Sequence, residues 1–477
     1  MRHWTLTAST AALAAALACA TNPATGKRQL MLVSESQEIA MGKVADQEAV
    51  AAYGVYADPK VQSYVADLGR RLAAASERPN LPWSFRVVDD PAVNAFALPG
   101  GYVYVTRGIM AYLRSEAELA AVMGHEIGHV TARHSASQIS KQELAMGGLI
   151  VGMAVSPELE RFGGLAQQGL GLLFLKFGRD DENQADELGL RYMTRQSYDP
   201  QEMLAVFGML DGVTRAEGGG RMPDWLSTHP NPGNRTEHVR AQIQATGARG
   251  TIVKRDEYLA RLDGMVFGEN PREGFFRQNV FYHPDLRFQL TFPRGFQTRN
   301  QRDAVIGVSQ SQDALVALTL VDAASPEAAA RQFLSQQGVQ AGRSSRDRIG
   351  GMPAYTALFQ AATDQGTLGG EVAFLAYNGK IYRTMGYTSV SRLSAYQDAF
   401  AQAIRSFSPL TDRRYLEVQP KRLDLVTLDR QMALAEFART YPSTVETNTL
   451  GLINGITGNG LLPKGEAKRV VGGRLPD

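Results

Sequence analysis

The stretch His125-Glu126-Ile127-Gly128-His129 constrains this chain more than any other. It lies in a run with apolar residues at helical spacing (Leu119, Val122, Met123, Ile127, Val130), opened by Ser115-Glu116-Ala117-Glu118, which reads as a capping box. A spacing of four puts both imidazoles on one face, a turn apart, so both can approach one ion at about 2.0–2.1 Å. Glu126 is rotated by about 100° from His125 and is placed to take a proton from water rather than to bind the ion. Two donors do not complete a catalytic metal site, so the fold has to bring a third to this helix.

Glu182-Asn183-Gln184-Ala185-Asp186 offers that donor, fifty-three residues beyond His129, on a helix expected over Asp180 to Arg195 with acids in its first turn. Asp186 is one turn further along the same face, where it can accept from the imidazole nitrogen that does not face the ion. The expected metal set is therefore His125, His129 and Glu182 around one Zn2+, with Glu126 as general base for peptide hydrolysis. Ser227-Thr228-His229-Pro230 and Arg235 follow. His229, on a turn with Pro230 and Pro232 after it, is a candidate to assist the developing oxyanion or to occupy the fourth metal position and hold the site closed. Arg235 is expected to pair with Asp186 or with a substrate carbonyl. His134, His238 and His283 read as solvated or structural. The hairpin Asn94 to Thr106, turning at Pro99-Gly100-Gly101, is the expected edge for an extended peptide.

Met1 to Ala20 reads as an export signal: Arg2 and His3 precede about ten apolar residues, too few to span a bilayer. Ala18-Cys19-Ala20 suits ordinary cleavage, and Ala16-Leu17-Ala18-Cys19 suits acylation of Cys19. Cys19 is the only cysteine and stands at the processing point, which favours a lipid anchor and an oxidising compartment. Fifty basic against forty-eight acidic residues leave no field for nucleic acid, and no basic run with aromatics appears.

Further along, the text turns to strands near Asp256. Phe281 to Phe292 alternates, Ala314 to Val321 is apolar, and Glu371 to Tyr377 and Lys380 to Tyr387 flank Asn378-Gly379, a hairpin turn. Helices are expected over Pro326 to Gln337 and Leu393 to Phe407, and the tail after Arg413 holds a strand at Leu423 to Leu428 and a helix near Arg430 to Thr440. The fold class is α+β: a mainly helical domain with a small hairpin or sheet at 21–250, an α/β domain at 256–410, and a small module at 411–477, after a signal segment at 1–20.

The Asn-Ala-Phe and Pro-Gly-Gly hairpin, HExxH, Glu-x-x-Ala-Asp and Ser-x-His-Pro-x-x-x-x-Arg, in that order, resemble the bacterial relatives of the CAAX prenyl endopeptidase, which are gluzincin metalloendopeptidases. The likeness covers about residues 19 to 245 and is closest to a soluble periplasmic branch, whose lipoprotein members also share an opening like Cys19-Ala20-Thr21-Asn22-Pro23. It implies a zincin domain, an envelope location with a lipid anchor at the outer membrane, and unfolded or misassembled envelope proteins as substrates. It also implies His125, His129 and Glu182 as zinc ligands and His229 on or near the metal. A chaperone-like or binding module closed by His229 is the competing expectation. The tetratricopeptide repeats common in that branch are not readable here. Asp256 to Leu410 faintly resembles a PsbP-like domain, and the tail a LysM module, which would touch peptidoglycan.

Overall fold

The computed structural model describes residues 19–150, 175–216, 225, 229, 232–363, 366–456, 458 and 460–476. Most of the expected export signal, the bulk of the apolar segments between Leu144 and Phe177, and Ser227, Thr228 and Pro230 lie outside the described residues. No described helix is long and apolar enough to cross a membrane.

Two short strands, β1 (Cys19–Thr21) and β2 (Arg28–Leu30), pair and lead into α1 (Glu35–Tyr53) and α2 (Pro59–Ala74). Both helices start on side-chain caps. Ser34 and Gln37 form a reciprocal capping box, and Asp58 accepts from Lys60 and Val61 ahead of Pro59. Three strands follow, β3 (Ser84–Val88), β4 (Ala95–Leu98) and β5 (Tyr102–Thr106), in the order β3-β5-β4. β5 runs parallel to β3 and antiparallel to β4, with Leu98 opposite Tyr102. Next come α3 (Arg107–Tyr112), α4 (Glu116–Thr131), α5 (His134–Ile150), α6 (Arg179–Arg195), α7 (Gln201–Ala216), α8 (Pro232–Thr246) and α9 (Arg255–Leu262).

Helix α4 is buried along its whole length, so its polar groups all need partners. At its start Ser115 Oγ accepts from the Glu118 amide at 3.0 Å, but the capping box expected there is only half formed. The Glu118 carboxylate turns instead to the amide and guanidinium of Arg114. Glu116 is held down to about 2: burial alone would raise it, but hydrogen bonds from Tyr198, Tyr64, Lys254 and Arg71 outweigh that.

The chain divides into two compact units, Met1–Glu269 with Arg422–Val471, and Asn270–Lys421 with Gly472–Asp477. The second unit holds the strand-rich text. A four-stranded sheet contains β6 (Phe275–Arg277), β7 (Val280–His283) and β8 (Phe288–Thr291). A seven-stranded one is built from β9 (Gln297–Asn300), β10 (Ala304–Val308), β11 (Ala314–Val321), β12 (Val339–Ile349), β13 (Met352–Thr363), β14 (Gly366–Tyr377) and β15 (Lys380–Ser389), in the order β12-β13-β14-β15-β11-β10-β9. Helices α10 (Pro326–Leu334) and α11 (Leu393–Arg405) pack on opposite faces of β14, against Val372 and Phe374 on one side and Ala373 and Leu375 on the other. The alternation from Phe281 to Phe292 is two strands rather than one, because Pro284 to Arg287 turn the chain and Arg287 takes φ 59°. Asn378 and Gly379, at φ 47° and 72°, make the expected hairpin.

The tail from Arg422 groups with the first unit instead of standing apart. Leu423, Leu428, Leu434, Phe437, Ile453 and Val470 join the same apolar core as Leu119, Ile127 and Leu188. Lys468, fully buried, donates from Nζ to the carbonyls of Ala111 and Leu113, both at 2.7 Å, and so ends α3.

Glu116 gives the first testable consequence. Its ionised form contributes stability that is complete above the unfolded-state value of 4.5 and is lost as pH falls towards about 2. Glu116→Gln is therefore predicted to lower the melting temperature at pH 7, with the gap to wild type closing between those two values. A gap that stays constant across that range in thermal scans would contradict the prediction.

Candidate metal centre

Helices α4 and α6 approach so closely because the contact is made of small residues. A Cβ on Gly189 would stand 2.8 Å from the His125 nitrogen, one on Gly128 would stand 2.9 Å from the Ala185 oxygen, and one on Gly124 would stand 3.1 Å from the Gly189 oxygen. With backbones this near, Glu182 at the start of α6 reaches the imidazoles at the end of α4. Its position there also follows from the Gly178 turn, closed by Asp181.

The resulting cluster is buried: His125, His129, Glu182 and His229 each offer a donor atom, all within 4.8 Å of one another. The Nε2 atoms of His125 and His129 are 3.0 Å apart, and Glu182 Oε1 lies 3.5 Å from His129 Nε2. His229 Nδ1 lies 2.9 Å from Glu182 Oε1 and 3.4 Å from His125 Nε2. Donors held at about 2.0–2.1 Å by a tetrahedral ion stand about 3.3–3.4 Å apart, so all four residues have the separations of one coordination shell. Glu182 Oε2 accepts no hydrogen bond, although Arg235 Nη1 is 3.0 Å away. A buried carboxylate oxygen left in this way, among imidazole nitrogens turned towards it, fits a cation. Three nitrogens and a carboxylate are a donor set that suits zinc.

Around the donors, Asp186 Oδ1 is 2.8 Å from His125 Nδ1, which leaves Nε2 of that ring facing the cluster. Arg235 clamps Asp186 through Nε and Nη2 at 2.7 and 2.6 Å. Burial alone would raise the Asp186 carboxyl, but Arg235 and His125 hold it down to about 2. For Glu182 burial pushes the same way, and His229, His125 and Arg235 outweigh it, so it stays ionised well into acid. His129 is pushed down by burial and by the neighbouring rings, which favours the neutral imidazole. His229 is raised despite burial, because Glu182 and Glu126 face it.

Glu126 is buried beside the cluster, with Trp225 Nε1 donating to its Oε1 at 3.3 Å and His229 Nε2 at 3.6 Å from the same oxygen. Arg235 lies against the Trp225 and Phe207 rings, 5.0 Å from each centroid. Phe177 stacks on His129 at 4.2 Å. Among the described residues no strand pairs with the outer edge of β4.

The structure thus brings His125, Glu126, His129, Glu182, Asp186, His229 and Arg235 together. Of the three other described histidines, His238 is half-exposed and pairs with Glu187 at 3.2 Å, and His283 sits in β7 of the second unit. His134 is not solvated, so of its two expected roles the structural one is left. It is buried, with Nδ1 2.9 Å from His129 Nδ1 and Nε2 2.8 Å from Gln184 Oε1. A separation of five from His129 is no helical face, so nothing in the sequence pattern marked it. Trp225 was missed because it lies ninety-nine residues from Glu126 and no spacing pattern links the two.

Fold and centre together define a metal-site domain of the HExxH type with a glutamate from a second helix. Residues 59–243 match the model of Peptidase family M48. The beta-barrel assembly-enhancing protease of Yersinia pestis is 30% identical over 243 residues, which are 48% of this chain and 49% of that protein. Its counterpart from Escherichia coli strain K12 is 31% identical over 242 residues, 48% of each. The mitochondrial metalloendopeptidase OMA1 of Schizosaccharomyces pombe is 34% identical over 228 residues, 46% of this chain and 64% of that protein. The chain spans about half the length of the first two. Among solved structures, cyanobacterial PsbP from Synechocystis sp. PCC 6803 covers 28% of this chain and 94% of its own, at 13% identity and a TM-score of 0.24, too slight a likeness to argue from.

The helix contact can be tested by volume alone. Gly189→Ala is predicted to destabilise the protein by about 1–3 kcal/mol and to weaken zinc binding, because the added methyl parts α4 from α6. Gly208→Ala, on an open face of α7 with nothing within 4 Å, should instead be neutral or stabilising. Denaturant titration and zinc competition on both variants check this, and equal behaviour would refute it.

Proposed function

We propose that the chain is a zinc-dependent endopeptidase of the bacterial cell envelope that cuts unfolded or misassembled proteins. The observation that carries this reading is the convergence of His125, His129 and Glu182 beside Glu126, whose polar neighbours among the described residues are Trp225 and His229. A zinc ion held by those ligands supplies Lewis acidity, acidifying water towards a pKa of about 7 and polarising a carbonyl. Glu126 is the general base: it takes the proton of the attacking water and returns it to the leaving amine. Trp225 Nε1–H fixes the carboxylate that does so. The free edge of β4 suits an extended peptide added as a strand, through main-chain bonds that do not read side chains, which fits unfolded substrates.

His229 supports a second reading. Its Nδ1 stands at coordination-shell distance from two ligands, 2.9 and 3.4 Å, so it occupies the position a substrate carbonyl or water would need. In that state the centre is closed, and the protein acts as a binding module until His229 leaves. Acylation of Cys19, an outer-membrane location, a PsbP-like character for 256–410 and a peptidoglycan contact through the LysM-like tail complete the proposal; they rest on the sequence resemblance.

Casein is predicted to be cleaved by the zinc-loaded wild type and spared by Glu126→Gln, on a gel time course with zinc content measured for both. Equal cleavage by the two proteins removes the peptidase reading. His229→Ala should raise the rate several-fold if the ring closes the centre. A fall would assign His229 to the oxyanion, and an unchanged rate would remove both roles.

A further inference from the structure

The hydrogen bonds around His134 have directions that can be deduced, not only distances. The deduction starts at the N-terminal strap between β1 and β2. Asn22 Oδ1 accepts the backbone N–H groups of Ala24 and Thr25, at 2.9 and 3.3 Å. Backbone nitrogens can only donate, so that atom is oxygen and the other is the amide nitrogen. The two hydrogens of Asn22 Nδ2 serve the nearer acceptors, Gln29 Oε1 at 3.1 Å and the Ala132 carbonyl at 3.3 Å, and the Gln184 side chain lies 3.4 Å from the same nitrogen. An amide oxygen suits that place beside a donor and a second NH2 group does not, which assigns the Gln184 atom as Oε1. His134 Nε2, 2.8 Å from that same oxygen, must therefore carry a hydrogen. A neutral imidazole with its hydrogen on Nε2 has a lone pair on Nδ1, and this lone pair faces His129 Nδ1 at 2.9 Å. His129 Nδ1 is then the donor, and the bare nitrogen of that ring is Nε2, the one turned into the cluster.

We propose that His134, oriented by Gln184 and through it by Asn22, is the positioning residue that fixes the tautomer and ring angle of the metal ligand His129. The proposal rests on the metal-site reading above. Asp186 serves His125 in the same sense, but with a carboxylate backed by Arg235. His129 has a neutral acceptor instead. The two ligands of the HExxH pair are thus supported by unlike groups: Asp186 and Arg235 from α6 and α8 for one, His134 from α5 with Gln184 of α6 and the N-terminal strap for the other.

The backbone is shaped for this relay. Between α4 and α5, Arg133 takes φ 61°, a left-handed turn that costs a non-glycine residue energy and returns His134 towards His129. What holds Arg133 there is its own side chain: Nε donates to Glu38 Oε2 at 2.8 Å and Nη2 to the Val33 carbonyl at 2.8 Å. Arg78 shares Glu38 and donates to the Val130 carbonyl at the end of α4. The strap, Glu38 and Arg78 are all distant in sequence from the metal residues, and all converge on the turn that presents His134.

The test is zinc affinity of the full chain, measured by competition with a chromophoric chelator, with the melting temperature of the zinc-free protein alongside. His134→Phe fills the site but cannot accept, and should weaken zinc binding by about 10–100-fold. His134→Asn, whose amide oxygen can stand where Nδ1 stood, should recover most of that loss. Gln184→Met keeps the volume, removes the acceptor, and should weaken binding by about threefold to tenfold; it decides the matter should His134→Phe fail to fold. Zinc constants within twofold of wild type for the folded variants, or an Asn variant as weak as the Phe one, would overturn the relay. A lowered melting temperature with an unchanged zinc constant would assign His134 to packing and likewise overturn it. A wild-type chain that takes up no zinc would overturn the metal site itself, and the relay with it.

Discussion

Everything at the centre depends on how closely α4 and α6 approach. Gly124, Gly128, Ala185 and Gly189 remove side chains from the contact, and their backbones meet where ordinary helices would keep a layer of methyl groups. The separation matters chemically because a glutamate side chain is short. With a layer of side chains between the helices, the Glu182 carboxylate would fall short of the His125 and His129 rings. The glycines cost helix propensity, about 1 kcal/mol each relative to alanine, and α4 offsets that cost by being buried on every side.

Close packing also concentrates charge. Four imidazoles, Glu126, Glu182, Asp186 and Arg235 are all nearly removed from water. Burying so many ionisable groups is unfavourable unless each has a partner. Asp186 is fully committed, to Arg235 on one side and His125 on the other. Glu182 is not: one of its oxygens makes no hydrogen bond. The imbalance is located at the point where the donors converge, so a divalent cation resolves it locally. Binding of the ion and stability of the domain are in that sense one quantity.

The local parts of this arrangement were legible in the sequence, and the convergent parts were not. HExxH, the capping residues Ser34 and Asp58, and the Asn378-Gly379 hairpin are short-range patterns, and the chain adopts them where they occur. Glu182 and Asp186 were found because a carboxylate pair one turn apart is itself a pattern. The tail could not be placed, since Leu423, Phe437 and Val470 look the same whether they fill a module of their own or complete the core around α4. Phe281 to Phe292 read as one strand because alternation continues across a turn whose breaking residue, Arg287, is not a usual turn residue at positive φ. His134 was passed over because its role depends on a left-handed residue between two helices, which periodicity cannot express.

The end of α4 shows how that last kind of information is stored. A helix leaves its final carbonyls unpaired, and this one stops beside the buried cluster, where a loose end would let His129 drift. Val130 is capped by Arg78, Ala132 by Asn22 and Gln29, and the turn that follows is pinned by Glu38 through Arg133. The partial negative charge at that terminus favours a cation nearby, and the Arg78 guanidinium takes part of that place. Residues 22 to 38 thus do for the C-terminal end of the metal helix what Ser115 does for its start. The strap is part of the frame of the centre, hydrogen-bonded to the end of the helix that carries His125 and His129.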